Sequence, residues 1–300
     1  MDSARKPSWA TSTPARPTNN ANLPAFFHVK AQDGTAGYTG AEVDDTRPMT
    51  YEEDSALWTK LWGPDAPGIK MDRVSVFSVT SYRLADEMSR ELLTLEGNTP
   101  QSSITDATAC VGGNTVSFAR VFATVNAIEL DAIRCDMLYN NIEFCRRNSE
   151  GNLSRRLVGT VRIYTNNCLE IVPRLRQDIV FLDPPWGGKD YKAKSIVSLF
   201  VDSKPLHEVV LTCLAHAKYV CLKLPKNADL SHLQADPRME TCLSKSFPSF
   251  DLIVVRSLVT RNAKESDGQT DPRVETLLTS LIRSHHFHEL LYKSAFVVKN

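Results

Sequence analysis

Asp183-Pro184-Pro185-Trp186 follows the apolar run 179–182, and two glycines come after it. That combination suits one chemical task. The exocyclic amine of a nucleobase is a poor nucleophile, because its lone pair is conjugated into the ring. A carboxylate and a neighbouring backbone carbonyl can hold its two N–H groups and turn the lone pair toward an electrophile. Asp183 and the carbonyl of Pro184 fit those parts, since prolines fix the local backbone. Trp186 adds a face on which a base can stack. The plainer account is a strand ending in a proline turn with a packing tryptophan. Acid, prolines and aromatic falling together at a strand end favour the chemistry.

Other residues of interest also lie at strand ends. Asp106 and the turn "ACVGGN" follow the run "SIT", and Gly112 and Gly113 let a backbone approach a ligand and lead into a helix N-terminus. Glu129 ends the next strand, where an acid can accept both hydroxyls of a ribose. A tight turn plus a surface acid would explain that pair equally well. Asn166 and Asn167 end the third strand and offer hydrogen bonds to an adenine edge, although asparagine is common in turns for conformational reasons alone.

The elements that must position these residues alternate. "TYEEDSALWTKLW" and "RLADEMSRELLTL" read as amphipathic helices. Strands are expected at "SITD", "VNAIELD", "VRIYTNN", "DIVFLDPPW" and "KYVCLKLP", with helices at "TVSFARVF", "AIRCDMLYNNIEFC" and "LHEVVLTCLAHA" between them. Two closing strands are expected at "DLIVVRSLVTR" and "LLYKSAFVVK", with a short helix "TLLTSLIRSH" between them. Alternation of this kind means a doubly wound, mostly parallel α/β sheet of seven strands, and the two closing strands imply an antiparallel edge strand. The expected organisation is a disordered, Pro/Ser/Thr-rich tail over 1–50, an N-terminal helical segment over 51–98 and the α/β domain over 99–300.

Lys+Arg and Asp+Glu both number 35, so the zero net charge argues against indiscriminate nucleic-acid binding while allowing a local basic rim. Arg146, Arg147, Arg155 and Arg156 are candidates for RNA phosphates, a solvated loop being the alternative. Seven cysteines without a CxxC pair read as reduced residues of an intracellular protein, most simply small core hydrophobes. No membrane span is expected. "HHFH" (285–288) lacks a cysteine or carboxylate at ligand spacing, so no metal site is expected.

Four stretches resemble the trimethylguanosine synthase family: "KLWGPDAPGIKMDRVSVFSVT" (60–80), "DATACVGGN" (106–114), "DPPWGGKDY" (183–191) and "LPKNADL" (224–230). The resemblance implies a Rossmann-like class I methyltransferase that uses S-adenosylmethionine to methylate the N2 amine of a 7-methylguanosine RNA cap. It implies Asp183, Pro184 and Trp186 as catalytic residues. Thr80, Asp106, Val111, Gly112, Gly113, Asn114, Glu129, Asn167 and Asp183 would line the cofactor. Trp186, Lys226 and Asn227 would take the cap or its phosphates. Capped RNA is the implied partner of a monomer, with ribonucleoprotein partners and a nuclear or nucleolar location, the cytoplasm being the alternative.

The sequence departs from the family pattern where Ala109-Cys110 replaces Cys-Gly, where Val76 and Ser81 replace an aromatic and a proline, and where Asn167 replaces Asp. A negative φ is expected at Cys110, which would leave the pocket open. Three rival readings remain: a methyltransferase of another base amine (adenine or an internal guanine), a cap-binding module without catalysis, and a nicotinamide-dependent dehydrogenase. The last lacks a GxGxxG and leaves 183–186 unexplained.

Overall fold

The computed structural model describes residues 48–149, 152 and 155–258. The expected tail lies almost wholly outside those residues, as do the "LLYKSAFVVK" strand, the "TLLTSLIRSH" helix and "HHFH".

Seven strands form one sheet: β1 Ser103–Asp106, β2 Thr124–Glu129, β3 Thr160–Thr165, β4 Ile179–Leu182, β5 Tyr219–Leu224, β6 Met239–Ser246 and β7 Asp251–Ser257. Their spatial order is β6-β7-β5-β4-β1-β2-β3. Every pairing is parallel except those of β7, which runs antiparallel to both β5 and β6. This is the class I methyltransferase arrangement expected from the sequence. Strand 239–246 adds a largely exposed edge whose polar composition hides it from sequence pattern, and the strand expected over 290–299 lies outside the described residues.

β4 and β5 are buried along their whole length, as strands covered on both faces must be. Their side chains alternate between two cores. Ile179, Phe181, Tyr219 and Cys221 join one cluster, and Val180, Leu182, Val220 and Leu222 the other. The helices are α1 Ser55–Trp62, α2 Arg73–Ser78, α3 Tyr82–Leu93, α4 Gly113–Ala119, α5 Ala132–Asn148, α6 Cys168–Ile171, α7 Leu206–Leu214 and α8 Ser231–Ala235. Residues of α1, α3, α4 and α5 build the first core, and residues of α6 and α7 the second. Five of the seven cysteines are buried, and all seven are free. Among the described residues, no helix is long and apolar enough to cross a membrane.

The N-terminal helical segment is tied down by specific bonds. Asp54 caps α1 by accepting the Leu57 N–H at 2.9 Å, and the buried Trp58 indole donates to the Ile69 carbonyl at 3.2 Å. Asp72 and Ser75 form a reciprocal capping box that starts α2. Asn141 of α5 then accepts the Lys70 N–H at 2.8 Å and donates to the carbonyls of Lys70 and Val111, both at 2.9 Å. One side chain thus joins the N-terminal segment to the loop after β1.

Candidate active site

Strand order reverses at β1, which lies between β4 and β2. Ligands of open α/β sheets bind beyond the carboxyl ends of strands at such a point. Register puts Asp106 level with Ala127 and Phe181, so the loops after β1, β2 and β4 leave the sheet on one edge.

The loop after β1 turns through two left-handed residues. Cys110 has φ 49° and Gly112 φ 97°. The negative φ expected at Cys110 is therefore corrected. The strain falls on a cysteine because its N–H is drawn to Glu129 Oε2 at 2.8 Å, and its side chain packs against the first core. Glycine is required at 112, where a Cβ would also meet Leu138 Cδ1 at 2.6 Å. A Cβ on Gly113 would touch Val79 Cγ1 at 3.0 Å and lie 3.4 Å from the Thr80 carbonyl oxygen, so α4 begins directly against the strip carrying Thr80. Val111 is fully buried.

Asp106 is fully buried; its Oδ2 accepts from Thr115 Oγ1 at 2.6 Å, and its Oδ1 has no partner. Burial pushes its carboxyl up to about 7; Thr115 pulls the other way, and the neighbouring Asp183 and Glu129 charges add to the rise. Glu129 is also raised, first by burial, and its second oxygen accepts the Asp131 N–H at 2.9 Å.

Asp183 begins the loop after β4, its N–H held by Thr108 Oγ1 at 2.8 Å. Lys223 of β5 reaches across the sheet and places Nζ 2.5 Å from Asp183 Oδ2. Burial raises the Asp183 carboxyl, opposed first by Lys223 and then by Asn114 and Trp186 beside it. Pro184 is buried, Trp186 half-buried, and the Tyr191 ring stands edge-on to the indole at 5.2 Å.

Contacts thus run from Thr80 to Gly113 and from Asp183 to Asn114 and Trp186, and the Asp183 charge acts on Asp106. Among the described residues, buried side-chain polar atoms without a partner include Thr80 Oγ1, Asp106 Oδ1 and Asn114 Oδ1, while the Trp186 indole faces the Asp183 carboxylate. Buried polar groups are normally paired, so this clustering marks a place where a polar ligand completes the bonding.

The remaining expected site residues are engaged with protein. Asn167 caps α6, accepting the Leu169 N–H at 2.9 Å, and donates to Asp202 at 2.7 Å. Lys226 pairs with Asp251 at 2.7 Å. Asn227 donates to the carbonyls of Tyr191 and Lys194 at 2.8 and 2.7 Å, fastening the segment that follows the tryptophan. Arg155 is paired with the buried Asp65, and Arg146 with Glu143. Sequence reasoning missed Lys223, Thr108 and Asn141. Only Lys223 left a signal, as the single charge in the otherwise apolar run "YVCLKL".

A family model described as RNA cap guanine-N2 methyltransferase matches residues 101–266. The chain belongs to that family. Its class I fold and this family imply S-adenosylmethionine as the methyl donor. The unpartnered oxygens of Thr80, Asp106 and Asn114 beside the Gly112-Gly113 turn fit such a cofactor. Among curated relatives, the trimethylguanosine synthase of Schizosaccharomyces pombe is 33% identical over 173 residues, covering 56% of this chain and 67% of that protein. The trimethylguanosine synthase of Saccharomyces cerevisiae is 26% identical over 188 residues, 61% of this chain and 55% of the other. A protein of Acanthamoeba polyphaga mimivirus named L320 is 36% identical over 158 residues, 51% of this chain and 57% of that one. The chain thus spans between 55 and 67% of the length of these relatives. A putative methyltransferase of Porphyromonas gingivalis W83 aligns with a TM-score of 0.47 at 16% identity, covering 62% of this chain and 43% of that chain.

Proposed function

We propose that this cap methyltransferase-family chain transfers a methyl group from S-adenosylmethionine to the exocyclic N2 amine of a 7-methylguanosine RNA cap. The observation that carries the reading is the meeting of Asp183 and Trp186 with three unpartnered polar side chains at the switch point of the sheet.

Bound there, the cofactor supplies an electrophilic methyl group. Thr80, Asp106, Val111, Gly112, Gly113 and Asn114 form its cradle, the unpartnered oxygens of Thr80, Asp106 and Asn114 taking its polar groups. Glu129 uses one lone pair of each oxygen on the Cys110 and Asp131 amides, and the remaining lone pairs accept ribose hydroxyls. Asn167, with its amide committed to α6 and Asp202, shapes the adenine end. Trp186 stacks on the 7-methylguanine, whose positive charge favours an indole face. Asp183 and the Pro184 carbonyl accept the two N–H bonds of N2 and aim its lone pair. Once alkylated, the nitrogen gives up one proton, which the Asp183 carboxylate is placed to receive. Asn227 keeps the Tyr191 segment against Trp186, and Lys226, held by Asp251, would face the cap phosphates.

Residues 51–98 would form the cap side of the site and 99–300 the catalytic domain. The protein would act as a monomer on nuclear RNA, with ribonucleoprotein particles as its partners.

The deciding experiment incubates the full chain with methyl-labelled cofactor and three substrates: a 7-methylguanosine cap dinucleotide, an unmethylated guanosine cap dinucleotide and an adenine oligonucleotide. Label on N2 of the 7-methylguanosine cap is the expected result. Label on adenine would transfer the activity to another base amine. Cap binding without any transfer would leave a cap-binding module.

A further inference from the structure

A lysine inside a parallel sheet demands a reason, because an unpaired ammonium there costs several kcal/mol. Lys223 sits in β5, is 5% exposed, and follows Leu222, which pairs with Leu182 of β4. Register therefore places it level with Asp183. The pleat turns it toward the face occupied by Tyr219 and Cys221. There Nζ lies 4.9 Å from the Trp186 ring centroid and 5.4 Å from that of Phe250, with Asp183 Oδ2 at 2.5 Å. One ammonium thus touches both the acid and the aromatic of the 183–186 run. Neither the family match nor the motifs assign it a part.

We propose that Lys223 is a positioning residue of the methyl-transfer site, holding the Asp183 carboxylate ionised and fixed in rotation so that its other oxygen can accept the amine N–H. The proposal rests on the amine-methylating reading above. An acid in this pocket has two possible forms. The neutral carboxyl carries its own proton and can donate it, which competes with accepting from the amine. The anion only accepts. Burial alone favours the neutral form, and the charge facing Asp183 from β5 opposes that. On the other side, Asp106 of β1 carries an acid whose own rise Asp183 strengthens, with Glu129 of β2 adding to it. Asn114 and Trp186, from α4 and the proline loop, are uncharged. Lys223 is therefore the one cation that Asp183 faces among the described groups acting on it. Its bond to Oδ2 also restrains rotation about the side chain and leaves Oδ1 outside that bond.

The test compares the full chain with its Lys223→Met and Lys223→Arg variants. Two readouts are taken: the pH dependence of kcat on a 7-methylguanosine cap dinucleotide, and the titration of Asp183 by carboxyl-carbon NMR on aspartate-labelled protein. Asp183→Asn identifies the signal. For Lys223→Met, kcat near neutral pH should fall about tenfold or more. Its acid limb and the Asp183 titration should both move up by about one pH unit or more. The KM for cofactor should stay within about threefold of the parent. Lys223→Arg, which keeps the charge, should restore the parental limb. A Lys223→Met loss that is equal at every pH, with the Asp183 titration unmoved, marks a packing role and overturns the proposal, as does parental activity in that variant. Should the unaltered protein methylate no cap, the functional reading fails, and the carboxyl titration still decides whether Lys223 sets the state of Asp183.

Discussion

Glu129 Oε2 accepts the backbone N–H of Cys110 at 2.8 Å, and Cys110 holds a φ of 49° in presenting it. The bond joins the end of β2 to the loop after β1, so the acid expected at the ribose also shapes the turn expected at the methionine end. It explains how a cysteine is tolerated where the family pattern has glycine. The cost of the left-handed conformation, about 1 kcal/mol, is set against a charge-assisted hydrogen bond and the packing of the thiol on the core.

Cys110→Gly should consequently leave stability within about 1 kcal/mol of the parent, because relief of strain is offset by greater freedom of the unfolded chain. Cofactor affinity should change by less than about tenfold. Cys110→Val puts a β-branched residue at positive φ and should cost about 2 kcal/mol or more. Urea denaturation measures both, and a neutral valine variant would contradict the left-handed turn.

The raised acid at Asp106 predicts an unusual pH dependence of stability. An unfolded aspartate titrates at about 4, and the folded Asp106 at about 7. Across that window the folded state binds more protons than the unfolded one. Stability conferred by the neutral form is thus present at about pH 4 and below and is lost as pH rises to about 7, on the order of 4 kcal/mol in all. Denaturation of the protein without added cofactor, from about pH 5 to 7.5, should show the decline, and Asp106→Asn should remove the larger part of it. Stability that rises over this range would refute the assignment.

Asp183 and Lys223 are both nearly buried, with side chains 12% and 6% exposed. Removing one partner strands the other charge, so Asp183→Ala should destabilise by about 3–5 kcal/mol as well as abolish turnover. The double variant Asp183→Ala, Lys223→Met removes both charges and should recover most of that loss while remaining inactive. A thermodynamic cycle from guanidinium melts checks it. Additive single and double effects would mean that the two charges do not act as a pair.

Trp186 predicts a preference rather than a rate. The unaltered protein should bind a 7-methylguanosine cap more tightly than a guanosine cap by about 1–2 kcal/mol. Trp186→Ala should erase most of that difference in fluorescence or calorimetric titration. Equal affinity of the parent for both caps would rule out recognition of the cationic base.

Much of this architecture can be read from the residues because parallel strands buried on two faces need continuous apolar runs. "IVFL" and "YVCL" have them, and the acids of the candidate site then fall at the carboxyl ends of strands. Asp106, Glu129 and Asp183 were locatable on that ground. β6 was not, since an exposed edge strand needs no apolar run and 239–246 has none. The φ of Cys110 depends on a carboxylate nineteen positions away, which local pattern cannot supply. Lys226, expected at the cap or its phosphates, is likewise paired with an acid at the start of β7. Distance along the chain hid these features, and each concerns a polar partner rather than an apolar period.

The same distance hides Asn141, a mid-helix asparagine on α5 with no local reason to be there. Its amide bonds the N–H and carbonyl of Lys70 and the carbonyl of Val111. It is fully buried, so no water replaces those bonds readily. Asn141→Leu keeps the branched heavy-atom shape and strands three backbone groups, each worth about 1 kcal/mol or more when left unmade. The expected loss of stability is about 2–4 kcal/mol by urea denaturation. A second effect should separate it from an ordinary core lesion. Lys70 belongs to the strip leading through Asp72 and α2 to Thr80, and Val111 to the cofactor turn, so both sides of the pocket loosen together. Cofactor affinity should fall at least about tenfold. Met137→Ala, which removes a buried side chain from the same helix without breaking a hydrogen bond, should cost comparable stability and leave affinity nearer the parent. Equal affinity losses in the two variants would show that α5 supports the site only by its packing.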